Sequence, residues 1–348
     1  MVLKTKFKKL GCLIAGTALI FSLAACSGGG SSTSSNESKD NSTPAYPEKP
    51  IIITAPSGAG GGLDTTARAL TKVLAETGLT EATMTVENKP GGGQAVGLAE
   101  FVNKDTTNPY NLYLPSVPLI INNLKKEGNS PYSYKDLTPL AQLTKDYGAI
   151  AVPADSKYQD LKSLFEDLKK DPTSLTIAGG SAPGSQDHLV AMLPAVKAGV
   201  DATKLKFVSY DGGGEAMTAL IGGNADILAT DISGTGEYLK AGKIRVLGVS
   251  SSERLQGTYA DIPTYKEAGI DAEFTIWRGL FGPKDMPDYA VDYWNKTLSE
   301  MSQTTEWKQV LETNGWEDGY KNSSDFAVFL TEQEKLVGEI LTSLNMNK

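Results

Sequence analysis

Two glycine-rich loops, widely separated along the chain, each stand between an apolar run and a stretch patterned as a helix. In the first, Ile51-Ile52-Ile53-Thr54-Ala55-Pro56 leads into Ser57-Gly58-Ala59-Gly60-Gly61-Gly62-Leu63 and then Asp64-Thr65-Thr66-Ala67-Arg68. In the second, Leu175-Thr176-Ile177-Ala178 leads into Gly179-Gly180-Ser181-Ala182-Pro183-Gly184-Ser185 and then Gln186-Asp187-His188-Leu189. Strand, loop and helix in that order point to an α/β architecture. A loop that opens a helix also presents unpaired backbone N–H groups at the positive end of the helix dipole, which suits an anion. Two such loops could hold the two ends of one small organic acid. The plain alternative is that glycine only permits tight strand-to-helix turns.

Short β-branched runs alternate with helical patterns from Tyr46 onward. Strands are predicted at Ile51–Ala55, Thr83–Glu87, Leu112–Leu114, Leu140–Leu143, Ala149–Val152, Leu175–Ala178, Lys206–Ser209, Ala225–Ala229 and Arg245–Ser250. Helices are predicted at Thr65–Glu76, Leu161–Lys170, Gln186–Ala198, Gly214–Ile221, Ser233–Lys240, Tyr289–Ser302 and Ser324–Leu344. This alternation predicts mostly parallel sheets with flanking helices, and ligands in such sheets bind beyond the carboxyl ends of the strands, where both loops lie. Asp64 reads as an N-cap after the first loop, and Asp187 or Ser185 as one after the second. Two further glycine loops, Asn88–Gln94 and Asp211–Gly214, either line the same cleft or are turns.

The N-terminus reads as a targeting segment. Lys4, Lys6, Lys8 and Lys9 precede an apolar core from Leu10 to Ala25 that is short for a membrane span. It ends in Leu23-Ala24-Ala25-Cys26, which resembles a bacterial lipobox, so residues 1–25 are expected to be removed and Cys26 lipidated. The only other cysteine, Cys12, falls in the removed part, and the mature fold has no disulfide. Residues 26–45 are rich in Gly, Ser, Asn and Thr and read as a flexible tether. A lipid anchor on such a tether holds a domain beside a membrane without spanning it.

Enzymatic and nucleic-acid readings fit poorly. A net charge of −8 argues against a nucleic-acid partner. The first loop has Leu63 where a dinucleotide fingerprint needs its third glycine, and it lacks the Gly-Lys-Ser/Thr of an NTPase loop. One histidine, His188, cannot supply a His pair for zinc. No cofactor or metal is expected. The rival enzymatic reading is a secreted lipoprotein esterase or hydrolase acting on a small anion with Ser185 and His188, three residues apart on one helix face. A second rival is a receptor for a neutral or cationic ligand.

The order of motifs resembles the extracytoplasmic solute receptors of tripartite tricarboxylate transporters, the Bug-type receptors. The resemblance runs from Tyr46-Pro47-Glu48-Lys49-Pro50-Ile51 through Gly60-Gly61-Gly62-Leu63-Asp64 and Val86-Glu87-Asn88-Lys89-Pro90-Gly91-Gly92. It continues through Gly184-Ser185-Gln186-Asp187-His188, Leu220–Asp226, Ala241–Val249, Asp261–Thr264, Glu267–Gly269 and Trp277–Pro283. It implies a two-lobed, periplasmic-binding-protein-like (Venus flytrap) fold with the ligand in the inter-lobe cleft. Lobe one would be residues 46–145 plus 265–348 and lobe two residues 146–264. It also implies a small organic carboxylate as ligand, a di- or tricarboxylate or an acidic amino acid, and membrane subunits of a tripartite tricarboxylate transporter as partners; the chain is expected to be a monomer. Leu63 departs from the Ser or Thr of many members, and Ala182-Pro183 departs in the second loop.

In the binding-protein reading, Ser57 and the backbone of Gly58, Ala59, Gly60, Gly61, Gly62 and Leu63, beside Asp64, hold one carboxylate. Gly180, Ser181 and Ser185 hold the other end. Asp231 follows a strand and either faces the cleft, where it would repel a further carboxylate and attract an amino group, or caps the next helix. Arg278 is either a cation that favours a polycarboxylate or half of a surface ion pair.

Lipidation at Cys26 makes a direct prediction. Cys26→Ser should release the protein to the medium or leave an uncleaved precursor in a fractionation experiment. Membrane retention of mature-size Cys26→Ser protein would contradict it.

Overall fold

The computed structural model describes residues 45–348 apart from Gly60, Asp105 and Asn129. The expected signal segment, Cys26 and all of the tether but Ala45 lie outside the described residues.

Ten strands and ten α-helices follow one another in this region. The strands are β1 (Ile51–Ala55), β2 (Met84–Asn88), β3 (Asn111–Tyr113), β4 (Leu137–Pro153), β5 (Thr176–Gly179), β6 (Lys206–Ser209), β7 (Ile227–Asp231), β8 (Ile244–Val249), β9 (Thr275–Pro283) and β10 (Glu317–Lys321). The helices are α1 (Gly62–Glu76), α2 (Ala95–Val102), α3 (Pro118–Leu124), α4 (Leu161–Lys170), α5 (Gln186–Lys197), α6 (Gly213–Ile221), α7 (Gly236–Lys240), α8 (Asp288–Gln303), α9 (Thr305–Asn314) and α10 (Ser323–Ser343).

The long strand β4 organises the sheet. Its first half pairs with β9 and β10, and β9 leads on through β3 and β1 to β2. Its second half pairs with β7 and β8, and β7 leads on through β5 to β6. The change of partner falls between Tyr147, opposite Thr275, and Gly148, opposite Asp231. Gly148 is required there because a Cβ would sit 2.7 Å from both methyls of Val190 on α5. Two sheets thus share one strand, and the carboxyl ends of β1 and β3 in one look toward those of β5, β6 and β7 in the other.

The expectation of mostly parallel sheets needs correction. Pairings β1–β2, β1–β3, β5–β6 and β5–β7 are parallel, but every partner of β4 and the β3–β9 pair run antiparallel. The segments Leu140–Leu143 and Ala149–Val152, predicted as two strands, are parts of β4. Polar Gln142, Thr144 and Asp146 broke its apolar pattern, yet all three are buried. Strands β9 and β10 and helices α2, α3 and α9 were not predicted. In β9, Gly279 and Gly282 give a loop-like sequence, but they exist to admit neighbours: a Cβ on either would collide with Phe326 or Met286.

Local chemistry accounts for the helix positions. In α1, Leu63, Ala67, Leu70 and Leu74 form one buried stripe. Asp160 caps α4 by accepting from Ser163 N–H at 2.7 Å, and Lys169 and Lys170 occupy its last turn. Asn322 caps α10 through Asp325 N–H at 2.9 Å. Trp277, Phe281 and Phe326 pack ring against ring beneath β9, joining α10 to the strand that carries Arg278.

Phe326 is completely buried. Phe326→Ala should therefore destabilise the protein by about 3–5 kcal/mol, read as a lower midpoint in urea unfolding. A loss under about 1 kcal/mol would mean that the pocket over Gly279 collapses and the ring is dispensable.

Candidate functional site

The first glycine loop leaves β1 and enters α1 without a side-chain cap. Gly61 is the N-cap, in extended backbone, and Asp64 lies inside the first turn, which corrects its expected capping role. The Asp64 carboxylate instead accepts from Asn88 Nδ2 at 3.0 Å and from Arg68 Nε at 3.0 Å. Asn88 also donates to Ser57 O at 3.1 Å, so Asp64 fixes the loop through its neighbour. Helix geometry leaves the N–H groups at Gly62 and Leu63 without intrahelical acceptors.

The second loop is closed on itself. Ser185 is the N-cap of α5 by position, but its side chain makes no capping bond. Asp187 lies inside the helix, and its carboxylate accepts from Gly180 N–H at 2.6 Å while its own N–H donates to Ser181 Oγ at 2.9 Å. Gly180 must be glycine: a Cβ would collide with the backbone of Gly212 and Gly213. His188 Nδ1 is buried without a hydrogen-bond partner, so no bond joins it to Ser185 Oγ. Its ring stands edge-on to Phe207 with centroids 4.9 Å apart. Burial, with Lys125 nearby, pushes the imidazole down to about 4.

Both loops open into a cavity of about 390 Å³. Ser57, Gly62, Leu63, Gly180, Ser181, Ser185, Asp231 and Arg278 all line it. A second chamber of about 300 Å³ adjoins it and is also lined by Gly62, Asp231 and Arg278. Gly58, Ala59, Gly61 and Asp64 do not line either chamber, and Gly60 lies outside the described residues. Gly91, Gly93 and Gln94 of the Asn88–Gln94 loop and Asp211 and Gly213 of the Asp211–Gly214 loop also line it, and the structure adds Ser116, Gln186, Asp187 and Thr230, which sequence reasoning did not assign to the site. The signal for several was the pair of further glycine loops. Gln94 closes the first of these loops with a left-handed backbone, φ 83°, at the start of α2. A larger cavity of about 660 Å³, between the Gly236–Lys240 and Glu312–Glu317 segments, contains neither glycine loop.

Arg278 and Asp231 line both chambers. Arg278 extends from β9, is 5% exposed and stacks over Trp316 at 4.6 Å. Its Nη2 lies 3.9 Å from Asp146 Oδ2 and 3.9 Å from Asp231 Oδ2, and its Nη1 has no hydrogen-bond partner. The expected alternative of a surface ion pair is overturned by this burial. Asp231 stands at the N-cap position of the following turn, but its side chain makes no cap bond. Its Oδ1 accepts from Gln186 Nε2 at 2.7 Å, and 28% of its side chain is open to water. Asp146 is fully enclosed and accepts from Ser233 Oγ at 2.5 Å and Tyr147 N–H at 2.8 Å.

The family model described as "Tripartite tricarboxylate transporter family receptor" matches residues 66–346. The chain belongs to that family. A curated relative from Pseudomonas sp. strain P51, "UPF0065 protein in tcbD-tcbE intergenic region", is 27% identical over 258 residues, 74% of each chain. A TctC solute binding protein from Polaromonas, solved without ligand, superposes with a TM-score of 0.70 at 25% identity, covering 86% of this chain and all of that one. The periplasmic binding protein BugD superposes with a TM-score of 0.73 at 26% identity, covering 87% of this chain and 100% of its own. The architecture is therefore the two-lobed solute-binding α/β fold.

Asp187 and Asp231 line this receptor's cleft, and Asp146 lies behind it against Arg278. Burial, reinforced by the Asp231 charge, holds Asp146 and Asp187 above the usual carboxylate range, Asp187 at about 7. Arg278, Ser233 and Tyr147 oppose the shift at Asp146, and Gly180 N–H and Gln186 oppose it at Asp187. Burial raises Asp231 too, against the pull of Arg278 and Gln186.

A raised carboxyl stabilises the fold fully below its unfolded range, near pH 4, and that contribution is lost as pH rises through about 7. Thermal unfolding of wild type should therefore lose more stability from pH 5 to pH 8 than Asp187→Asn, whose amide oxygen can still accept from Gly180. His188 acts with the opposite sign, losing stability as pH falls below its unfolded value, but equally in both proteins. Parallel pH curves would show that Asp187 titrates normally.

Proposed function

We propose that this receptor is an extracytoplasmic lipoprotein, tethered through Cys26, that captures a small organic carboxylate for the membrane subunits of a tripartite tricarboxylate transporter. The ligand binds between a lobe of residues 46–145 plus 265–348 and a lobe of residues 146–264. The observation that carries this reading is the convergence of the α1 N-terminus and the buried, incompletely paired Arg278 on one cavity. A carboxylate there accepts from the Gly62 and Leu63 N–H groups and Ser57, and compensates the guanidinium. Each charge-assisted bond contributes roughly 1.5–3 kcal/mol, and micromolar affinity needs about 8 kcal/mol, so a few suffice after ordering costs. Contacts made only when the lobes meet favour closure, which a membrane partner can read.

Relatives support the ligand class. MatC from Rhodopseudomonas palustris was solved with bound malate, and another R. palustris protein with adipate; they superpose with TM-scores of 0.73 and 0.75 at 22% and 21% identity. Family members are receptors, and the same reading makes this chain a binding protein without turnover.

The test is calorimetry against a panel of mono-, di- and tricarboxylates, with Gly62→Ala as the variant. A Cβ at Gly62 would sit 3.0 Å from Arg278 Nη2 and narrow the approach to it. The variant should bind the best acid tenfold or more weakly, about 1.4 kcal/mol, while keeping its far-ultraviolet circular dichroism. Undiminished affinity would remove Gly62 from the site, and hydrolysis of an ester of the acid would favour an enzyme.

A further inference from the structure

The turn between β2 and α2 holds a positive φ at four consecutive residues, 126° at Gly91, 57° at Gly92, 60° at Gly93 and 83° at Gln94. Glycine adopts such backbone at no steric cost, which accounts for the first three. Gln94 has no such freedom. Among the described residues only one other non-glycine stands at positive φ, Asn345, just past the end of α10. Asparagine tolerates the left-handed region through its short polar side chain, and glutamine gains nothing comparable. Backbone held in this region by a long side chain persists where its surroundings fix it, and such residues cluster at ligand sites.

The surroundings do fix Gln94. Its main-chain oxygen accepts from Tyr113 Oη at 3.3 Å, and Asn122 Nδ2 ties down the turn by donating to Gly93 O at 2.5 Å. Gln94 is 9% exposed, and its Oε1 accepts from the Ser116 N–H at 3.3 Å. A backbone N–H only donates, so its partner is the amide oxygen and the side chain has one orientation. Ser116 in turn is bridged to Arg278 through the backbone and donates its Oγ to Trp277 O at 2.6 Å. Gln94 Nε2 is thus held beside the strand that carries Arg278, and it makes no hydrogen bond to the described residues. A largely buried amide N–H without an acceptor is costly. Gln94 borders the cavity of about 390 Å³ together with Gly62, Leu63 and Arg278. A second void that it borders, beside Leu98 and Leu119, is too small for a water molecule.

Resting on the carboxylate-receptor reading above, we infer that Gln94 is a ligand-binding residue whose Nε2 donates to an oxygen of the bound acid, in the cavity it shares with Gly62, Leu63 and Arg278. The acid supplies the acceptor that the protein does not. Ser116 is the positioning residue, since its N–H sets which end of the amide is free. The donor is neutral and fixed in direction, so it adds geometric selection to the charge of Arg278. A fourth glycine would keep the turn and lose the donor.

The experiment is calorimetry on the full chain in detergent, with acetate, succinate, malate, adipate and citrate as probes. Two variants separate binding from structure. Gln94→Glu keeps an oxygen for the Ser116 N–H and turns the donor into an ionised acceptor. Gln94→Gly removes the side chain where glycine adopts the backbone freely. At pH 8 each should weaken the acid that wild type binds best tenfold or more, with far-ultraviolet circular dichroism unchanged. For Gln94→Glu the loss relative to wild type should shrink at pH 5, because protonation of the new carboxyl restores an O–H donor. For Gln94→Gly it should be the same at both pH values. Either variant decides the matter if the other fails to fold. A folded variant less than tenfold weaker at pH 8, or a Gln94→Glu loss equal at pH 5 and pH 8, overturns the inference and leaves the carboxylate receptor intact. Binding of none of the five acids by wild type overturns both.

Discussion

The structure depends on a guanidinium that cannot lose its charge and is nevertheless buried. Arg278 needs anions nearby, and it finds Asp146 and Asp231 at 3.9 Å each. The three residues come from β9, β4 and β7, the strands that meet where β4 leaves one sheet for the other. Losing one member of such a buried set costs about 3–5 kcal/mol, because the remaining charge is stranded. The ion cluster thus fixes the crossing of the two sheets as well as the chemistry of the cleft between them.

Glycines are then placed by what must come close to that cluster. Gly62 lets the start of α1 approach Arg278, Gly148 lets α5 lie on β4, and Gly180 lets two loops of the second sheet touch backbone to backbone. In each case the constraint is space rather than backbone freedom, since none of the three has a positive φ. The cleft is consequently lined by close-lying backbone together with Arg278, Asp187, Asp211 and Asp231.

Much of the α/β order was readable because it is written in short-range patterns. The apolar stripe of α1, the Asp160 cap of α4 and the β-branched runs of β1, β5 and β6 are local features, and local chemistry produces them. Strand β9 was hidden because its glycines answer to Phe326 and Met286, which lie elsewhere in the chain. Strand β4 was split in two because its buried polar residues serve the crossing rather than a local face. The capping reading of Asp64 and the capping alternatives for Asp187 and Asp231 share one error. Position next to a helix start is local, but the partner a carboxylate finds is not: Asn88 and Arg68, Gly180, and Gln186 respectively.

The sequence by itself determined the α/β class, the family resemblance, the two glycine loops at strand ends and the basic-apolar leader ending at Cys26. Each of these is a run of neighbouring residues whose meaning survives without the rest of the chain. Only the tertiary structure decided that Arg278 is buried, that Asp231 and Asp187 line the cleft with Asp146 behind them, and that the Gly180 N–H is taken by Asp187. Those facts depend on where β4, β7 and β9 converge. The electrostatics of a site are set by distances across the fold and by exclusion of water, and neither is encoded in any single stretch of sequence.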